Sequence, residues 1–234
     1  MVEKEVISLK IIKDIRIYKS DIENVAGNSL PSSFSNKELN AVIHRIVMKL
    51  RENSFSLGEF DHLYVNFTNC EVDNRIALSK RCIDKYSPWY RYYDVQVSDT
   101  VFSQLETQIS SDEIINFLEN VLIKCFVSEH FDEKLIHSCF SEAIMQGEKM
   151  MMIFKEKHTS QRTAVVYLRY LDSGRYSPLL KVFNLNEKLL LETDLPETVD
   201  LSYLGEIQLS TKRVTIKPRK SSYTKAIEPI FFEY

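Results

Sequence analysis

Hydrophobic residues in the first 98 positions change from a two-residue period to a helical period and back again. Apolar residues alternate with Lys and Arg between Val6 and Tyr18, which predicts a long half-buried strand. Ser35 precedes Glu38 by three positions, so each side chain can bond the other's free backbone N–H, and a helical stripe follows as far as Glu52. Aromatic and β-branched residues then cluster in three short runs that predict a strand meander, at residues 62–67, 75–78 and 89–97.

The rest of the chain separates into a helical region and a strand region. Residues 99–148 carry two apolar stripes at helical spacing, and Gly147 is placed to end the last helix. Residues 149–234 carry almost only strand patterns, separated by turn signals. Strands and helices do not alternate as they do in parallel βαβ units, so the sequence predicts an α+β fold. We expect antiparallel sheets, a central module of two or three helices, and a C-terminal half that is mostly β.

The three regions, 1–98, 99–148 and 149–234, are predicted to form a single domain of 234 residues. The apolar stripes of the central helices need a partner surface of comparable size, and the strand-rich C-terminal region offers one. We therefore expect these helices to pack on the C-terminal sheet. Alternate residues within 164–169 are expected to face opposite sides of that sheet.

Composition excludes several classes of function before any motif is considered. The chain has five glycines in 234 residues, and no two lie near each other, which excludes a Walker loop and a dinucleotide-binding turn. We expect no cofactor. No stretch approaches the roughly 18 apolar residues of a membrane span, so we expect no membrane partner. The N-terminal residues lack the pattern of a signal peptide, which predicts a cytoplasmic protein.

Cysteine and histidine chemistry is only weakly indicated. Four cysteines are too few for a disulfide scaffold in a chain of this length, and all four are predicted to be reduced thiols. Cys125, His130, His137 and Cys139 are the nearest approach to a metal site or a Cys–His nucleophile. Cys125 and Cys139 fall on apolar stripes, where a buried structural thiol is the ordinary explanation. We expect no metal and no catalytic residue, although carboxylates paired only by folding stay open.

Charge is distributed unevenly behind an overall net charge of −3. Residues 99–148 contain ten acidic and two basic residues, a net charge of −8, whereas residues 149–234 carry +4. Nucleic acid is disfavoured as a partner, because Lys on an edge strand commonly blocks unwanted sheet pairing and the chain has a pI near 6.0. The acidic helices are either a solvated face or a docking surface for a basic protein. The candidate partner-binding carboxylates are Asp112, Glu113, Glu119, Asp132, Glu133 and Glu142.

Aromatic residues concentrate between Ser79 and Asp94, which contain the only Trp and four Tyr among alternating cations. Trp, Tyr and Arg dominate the residues that carry binding energy at protein interfaces. Trp89, Tyr90 and Arg91 are therefore further candidate partner-binding residues. The alternative is a strand whose aromatic side chains fill a junction between sheet and helices.

Three strings in the chain resemble one class of bacterial proteins. Residues 63–68 (LYVNFT), 87–94 (SPWYRYYD) and 211–220 (TKRVTIKPRK) are similar to cytoplasmic immunity proteins of polymorphic-toxin systems, and specifically to the immunity protein 39 family of Bacillus-like bacteria. The similarity extends over most of the chain. Immunity proteins of this class are made beside a secreted or contact-delivered toxin, often a nuclease, and they neutralise it by binding.

The resemblance implies a non-catalytic inhibitor whose partner is the basic C-terminal domain of a cognate toxin. No toxin-contact motif is defined for this class, so no functional residue follows from the resemblance. The acidic helices agree with it, because carboxylates can pair with Lys and Arg in a nuclease cleft. The alternatives are an enzyme with an unrecognised carboxylate or Cys–His site, and a structural or adaptor protein.

Overall fold

The structure is a computed structural model that describes residues 9–23, 37–80, 87–105 and 110–234. The chain divides into two compact units, Met1–Gly147 and Glu148–Tyr234. The first contains β1 (Asp14–Lys19), α1 (Lys37–Glu52), β2 (His62–Thr68), β3 (Ile76–Leu78), β4 (Tyr90–Gln96), α2 (Asp99–Gln104), α3 (Ser111–Phe126) and α4 (Glu133–Gln146). The second contains β5 (Met152–His158), β6 (Arg162–Tyr170), β7 (Tyr176–Asn184), β8 (Leu189–Asp194), β9 (Glu206–Leu209), β10 (Arg213–Lys217) and β11 (Ile230–Glu233). The α+β class is confirmed, and the assignment of residues 1–234 to one domain stays a prediction.

The sheet of the first unit is mixed, with the order β1-β2-β4-β3. Strands β1, β2 and β4 run parallel, and β3 pairs antiparallel at the outer edge of β4. The predicted meander over 62–97 is therefore wrong. A meander would place β3 between β2 and β4, whereas β4 pairs parallel with β2 and β3 lies on the far side of β4. Residues Leu63 to Thr68 of β2 are all buried, as is usual for a central strand of a parallel sheet.

The first predicted strand is only partly described. Within the described residues β1 begins at Asp14, and Ile11 forms an isolated bridge with Ser56. The predicted capping residue Ser35 and residues 1–8 lie outside the described residues. Helix α1 nevertheless continues as far as Glu52, as its apolar stripe predicts.

Local capping signals define the ends of the central helices. Ser110 and Glu113 form a reciprocal capping box at the start of α3, and Asp132 caps the first turn of α4. Gly147 ends α4 with a φ of 52° and donates its N–H to the carbonyl of Ala143, which confirms its predicted role. Among the described helices, none has the length and apolar character needed to cross a bilayer.

The central helices bury their apolar stripes within the first unit. Phe117 of α3 packs edge-on against Phe67 of β2 at 5.4 Å, and Phe126 packs on Tyr93 of β4 at 5.1 Å. Helix α4 packs on α1. The prediction that these helices cover the C-terminal sheet needs correction, because the stripes indicate only that an apolar partner surface is required. They do not indicate which sheet supplies it.

The second unit is built from antiparallel strands, as its sequence pattern predicts. Strands β5 to β8 form a meander, and β9 to β11 form a separate three-stranded sheet. The pairing of β6 with β7 is continuous from Arg162 to Tyr170, so successive residues of β6 face opposite sides. Gly205 lies so close to the backbone of Pro218 that an added Cβ would clash with the carbonyl group of Pro218.

Candidate protein-interaction site

One face of the first sheet carries a cluster of tyrosines. Phe67 and Tyr93 contact α3, so the residues that alternate with them point to the opposite face. On that face Tyr64 stacks on Tyr90 with a centroid distance of 4.8 Å and an interplanar angle of 12°. Tyr92 also meets Tyr64 edge-on at 5.2 Å. We call the tyrosine face the set Arg16, Tyr18, Tyr64, Tyr90 and Tyr92.

Arg16 fixes a positive charge against these rings. Its guanidinium lies 5.6 Å from the centroid of Tyr64, and its Nε donates to Asp14 Oδ2 at 2.7 Å. This hydrogen bond to Asp14 raises the pKa of Arg16 above its usual range. Burial raises the pKa of Tyr18 and Tyr64. Both phenols are therefore neutral donors at physiological pH, held in a packed and partly desolvated cluster.

The three aromatic-segment candidates do not share one surface. Trp89 is 43% exposed just before β4 and meets Tyr90 edge-on at 6.3 Å. Tyr90 belongs to the tyrosine face. Arg91 points to the other side of the sheet, where its guanidinium lies 5.5 Å from the Phe60 ring and donates to the carbonyls of Pro88 and Tyr90. Residues 81–86 of the predicted aromatic segment lie outside the described residues.

Two of the six candidate carboxylates cap helices. Glu113 Oε2 accepts from the backbone N–H and the hydroxyl of Ser110. Asp132 Oδ1 accepts the N–H of Leu135 at 2.8 Å. Both residues are exposed, as is Asp112 in the first turn of α3. All three carboxylates lie near the positive ends of helix dipoles, where a negative charge is favourable.

Glu119 and Glu133 bracket His137 and link α3 to α4. His137 Nδ1 lies 2.8 Å from Glu119 Oε1, and His137 Nε2 lies 3.3 Å from Glu133 Oε1. These hydrogen bonds, that to Glu119 foremost, raise the pKa of His137. The raised pKa favours the protonated form of His137, which can donate to both carboxylates and so link α3 to α4. In the described part of the chain, no group of three His, Cys, Asp or Glu residues is arranged to hold a metal ion.

Glu142 is a structural partner of a buried lysine. Lys49 Nζ lies 2.7 Å from Glu142 Oε1 and 2.8 Å from Glu52 Oε2, and the Lys49 side chain is only 8% exposed. The ammonium group thus joins α1 to α4 in a poorly solvated site. Removal of either acid would leave part of a buried positive charge uncompensated. Glu142 consequently contributes to the fold before it contributes to any partner surface.

The thiols of α3 and α4 are poorly suited to nucleophilic chemistry. Cys139 is buried, as its position on the apolar stripe predicts, and Cys125 is half-buried. Burial raises the pKa of Cys125 and raises that of Cys139 to about 11. A nucleophilic cysteine needs a lowered pKa, because the thiolate is the reactive form. The raised pKa of both thiols disfavours the Cys–His alternative. Cys82 lies outside the described residues.

The sequence candidates included only Tyr90 of the tyrosine face and lacked the other four members, Arg16, Tyr18, Tyr64 and Tyr92. The available signal was their spacing. Arg16 and Tyr18 stand two positions apart, as do Tyr90 and Tyr92, so each pair lies on one face of its strand. Only the parallel register, which sets Arg16 beside Tyr64 and Tyr64 beside Tyr92, brings the pairs together.

No known protein family, curated protein or solved structure matches this chain.

Proposed function

We propose that this protein is a non-catalytic cytoplasmic immunity protein that binds and neutralises the basic C-terminal domain of a cognate toxin. The observation that carries the proposal is the acidic surface of α3 and α4. Asp112, Glu113, Asp132 and Glu133 are all exposed there, in a region with a net charge of −8. A field of one sign attracts a partner of the opposite sign and raises the rate of association.

The structural tasks of these carboxylates do not remove their effect at a distance. A capping carboxylate stays ionised while it accepts a backbone N–H, so its charge still contributes to the long-range field. The same residue therefore contributes both a local contact and a long-range attraction, and its substitution changes both. A test of the proposal should change the field without disturbing a cap or an ion pair.

Asp112 and Glu129 suit such a test, because both are exposed on the acidic surface. We expect the double variant Asp112→Lys/Glu129→Lys to fold normally and to associate with the toxin domain on the order of tenfold more slowly at low salt. The matched control, Glu187→Lys/Glu228→Lys, changes the net charge equally from exposed positions in the second unit. Stopped-flow association rates, measured from about 20 mM to about 500 mM salt, separate the two variants. Salt screens attraction at a distance, because the Debye length is about 10 Å at 0.1 M and shortens at higher ionic strength.

The partner for this assay is the C-terminal domain of a large protein encoded directly upstream of this chain's gene. Co-expression should restore growth to cells that produce that domain, and the purified proteins should form a complex. If no neighbouring domain is toxic, or if a toxic one neither binds this protein nor loses its toxicity, the immunity proposal is rejected. Equal association rates for the two double variants would instead make the tyrosine face and Trp89 the better candidates for the docking surface.

A further inference from the structure

A small polar recess opens at the carboxyl ends of the parallel strands of the first unit. Its cavity volume is about 80 Å³. In open sheets with parallel strands, ligands commonly bind beyond the carboxyl ends of the strands. The recess is lined by residues that follow β1, lie near the ends of β2 and β4, or precede and form β3, among them Glu23, Asn66, Glu71, Asp73, Lys80 and Asp94.

Asn66 lines the recess, and its side chain has a hydrogen-bond acceptor without a partner among the described residues. The residue is fully buried, and its Nδ2 donates to Asp94 Oδ1 at 2.7 Å. This bond uses the donor end of the amide and leaves Asn66 Oδ1 as the remaining acceptor. That Oδ1 is buried without a hydrogen bond. Buried acceptors without a donor are rare and costly, which indicates a missing donor.

The charge and the walls of the recess restrict what the donor can be. Four carboxylates line it, and Lys80 is its one basic residue among the described lining. Val72 and Leu78 add apolar surface beside these acids. A guanidinium group fits this combination, since it carries five N–H donors in one plane and is weakly hydrated on its flat faces. The volume admits a single functional group and is far below the roughly 300–1,000 Å³ of sites for larger ligands.

We propose that this recess binds a guanidinium group, with Asn66 Oδ1 as its buried acceptor and the surrounding carboxylates as its counter-charge. The source of the group is either an arginine side chain of the proposed toxin partner or a free guanidinium compound. Only the first source rests on the proposed function. The recess itself can be tested without any partner.

The test is a titration of the full chain with methylguanidinium, followed by two-dimensional ¹H–¹⁵N NMR. Methylurea is the matched probe, because it has nearly the same shape and no charge. We expect saturable shifts that include the Asn66 side-chain amide, with a Kd on the order of 1–10 mM for so small a ligand. Methylurea should bind at least tenfold more weakly. Shifts that stay linear and spread over the surface, or equal binding of the two probes, would overturn the proposal.

Variants at the rim test the same site without disturbing its buried amide. Glu71 and Asp73 are exposed, so Glu71→Gln/Asp73→Asn should fold and should weaken methylguanidinium binding about fivefold or more. The control Asp112→Asn/Glu129→Gln removes the same charge elsewhere and should leave the Kd unchanged. Asn66→Leu, where it folds, should abolish saturation. Equal weakening by both double variants would show general charge attraction in place of a site and would refute the proposal.

The two sources of the guanidinium group are separated by the toxin domain. If the partner supplies an arginine, Glu71→Gln/Asp73→Asn should lower its affinity at least tenfold, and methylguanidinium should compete with it. If methylguanidinium saturates the recess but partner affinity is unchanged, the recess serves a free compound and the immunity proposal stands. If the recess fails to bind the probe while the protein still neutralises its toxin, only the recess proposal is lost.

Discussion

The buried lysine between α1 and α4 gives the sharpest stability prediction. Lys49 Nζ contacts Glu142 Oε1 at 2.7 Å and Glu52 Oε2 at 2.8 Å. Replacement of Glu142 by Gln keeps the shape of the side chain and removes its charge. The poorly exposed ammonium group is then left with one carboxylate, so we expect Glu142→Gln to destabilise the first unit.

The expected cost follows from how buried each member of the cluster is. Removal of one partner from a fully buried pair costs roughly 3–5 kcal/mol, whereas an exposed pair is worth at most about 1 kcal/mol. The Glu142 side chain is 35% exposed, and Glu52 still compensates Lys49 after the substitution. Both facts place the loss between these limits, at about 1–2 kcal/mol.

Urea unfolding at pH 7, monitored by far-UV circular dichroism, measures this loss. The matched control is Glu129→Gln, an exposed carboxylate whose removal should change the unfolding free energy by less than about 0.5 kcal/mol. A Glu142→Gln protein as stable as the wild type would refute the reasoning. Loss of toxin binding at unchanged stability would give Glu142 the partner-binding role that its sequence position suggested.

The pH dependence of the same cluster has a definite sign. Burial lowers the pKa of Lys49, but the hydrogen bonds that Lys49 donates to Glu142 and Glu52 outweigh this effect, so the pKa is raised above its ordinary value of 10.5. A group whose folded pKa is raised contributes its full stability below the unfolded pKa and loses it as the pH rises through the folded pKa. The difference between wild type and Glu142→Gln should therefore be constant from about pH 7 to pH 9 and shrink above pH 10.5.

Three further predictions concern single positions. Burial lowers the pKa of His44 from 6.5 to about 4, so the free energy of unfolding should fall by at most about 3 kcal/mol as the pH drops from 6.5 to 4. His44→Leu should reduce this pH dependence, measured by urea unfolding at each pH. Gly205→Ala should destabilise the second unit by about 2 kcal/mol or more, seen as faster hydrogen exchange in β9 and β10, because its Cβ would meet the backbone of Pro218. Cys139→Val should cost about 1 kcal/mol or less and keep growth protection, while the wild-type Cys139 thiol, with its pKa of about 11, should react with a thiol reagent at pH 8 only after unfolding.

Local patterns were sufficient for the elements that depend on local interactions. Helices α3 and α4 were recognisable from apolar stripes, and Gly147 from its position at the end of one of them. The antiparallel strands of the second unit were recognisable because a hairpin joins neighbours in sequence, so each pairing is signalled by a turn between two alternating runs. Each of these features is encoded within about 20 residues of chain.

The parallel part of the first sheet required information that no local pattern contains. Strand β2 pairs with β1 and β4 across intervening segments, and its continuous burial resembles that of any short apolar run. The tyrosine face depends on that register. A shift of one residue would turn Tyr64 toward α3 and separate it from Tyr90 and Tyr92. The sequence thus indicates that the segment is aromatic, but it does not indicate which aromatic residues lie together on one face of the sheet.

The acidic helices show why charge composition alone does not identify binding residues. Carboxylates at the N-termini of helices stabilise the helix itself, as Glu113 and Asp132 do. Other carboxylates form ion pairs between packed helices, as Glu142 does. Such residues contribute to the field around the protein, yet their substitution changes stability and attraction together. Charge reversal at Asp112 and Glu129 limits this coupling to the interaction of Asp112 with the dipole of α3, because neither residue caps a helix or forms an ion pair among the described residues. A slower association of that variant can therefore be attributed to the field, and an unchanged rate would show that these acids serve the helices alone.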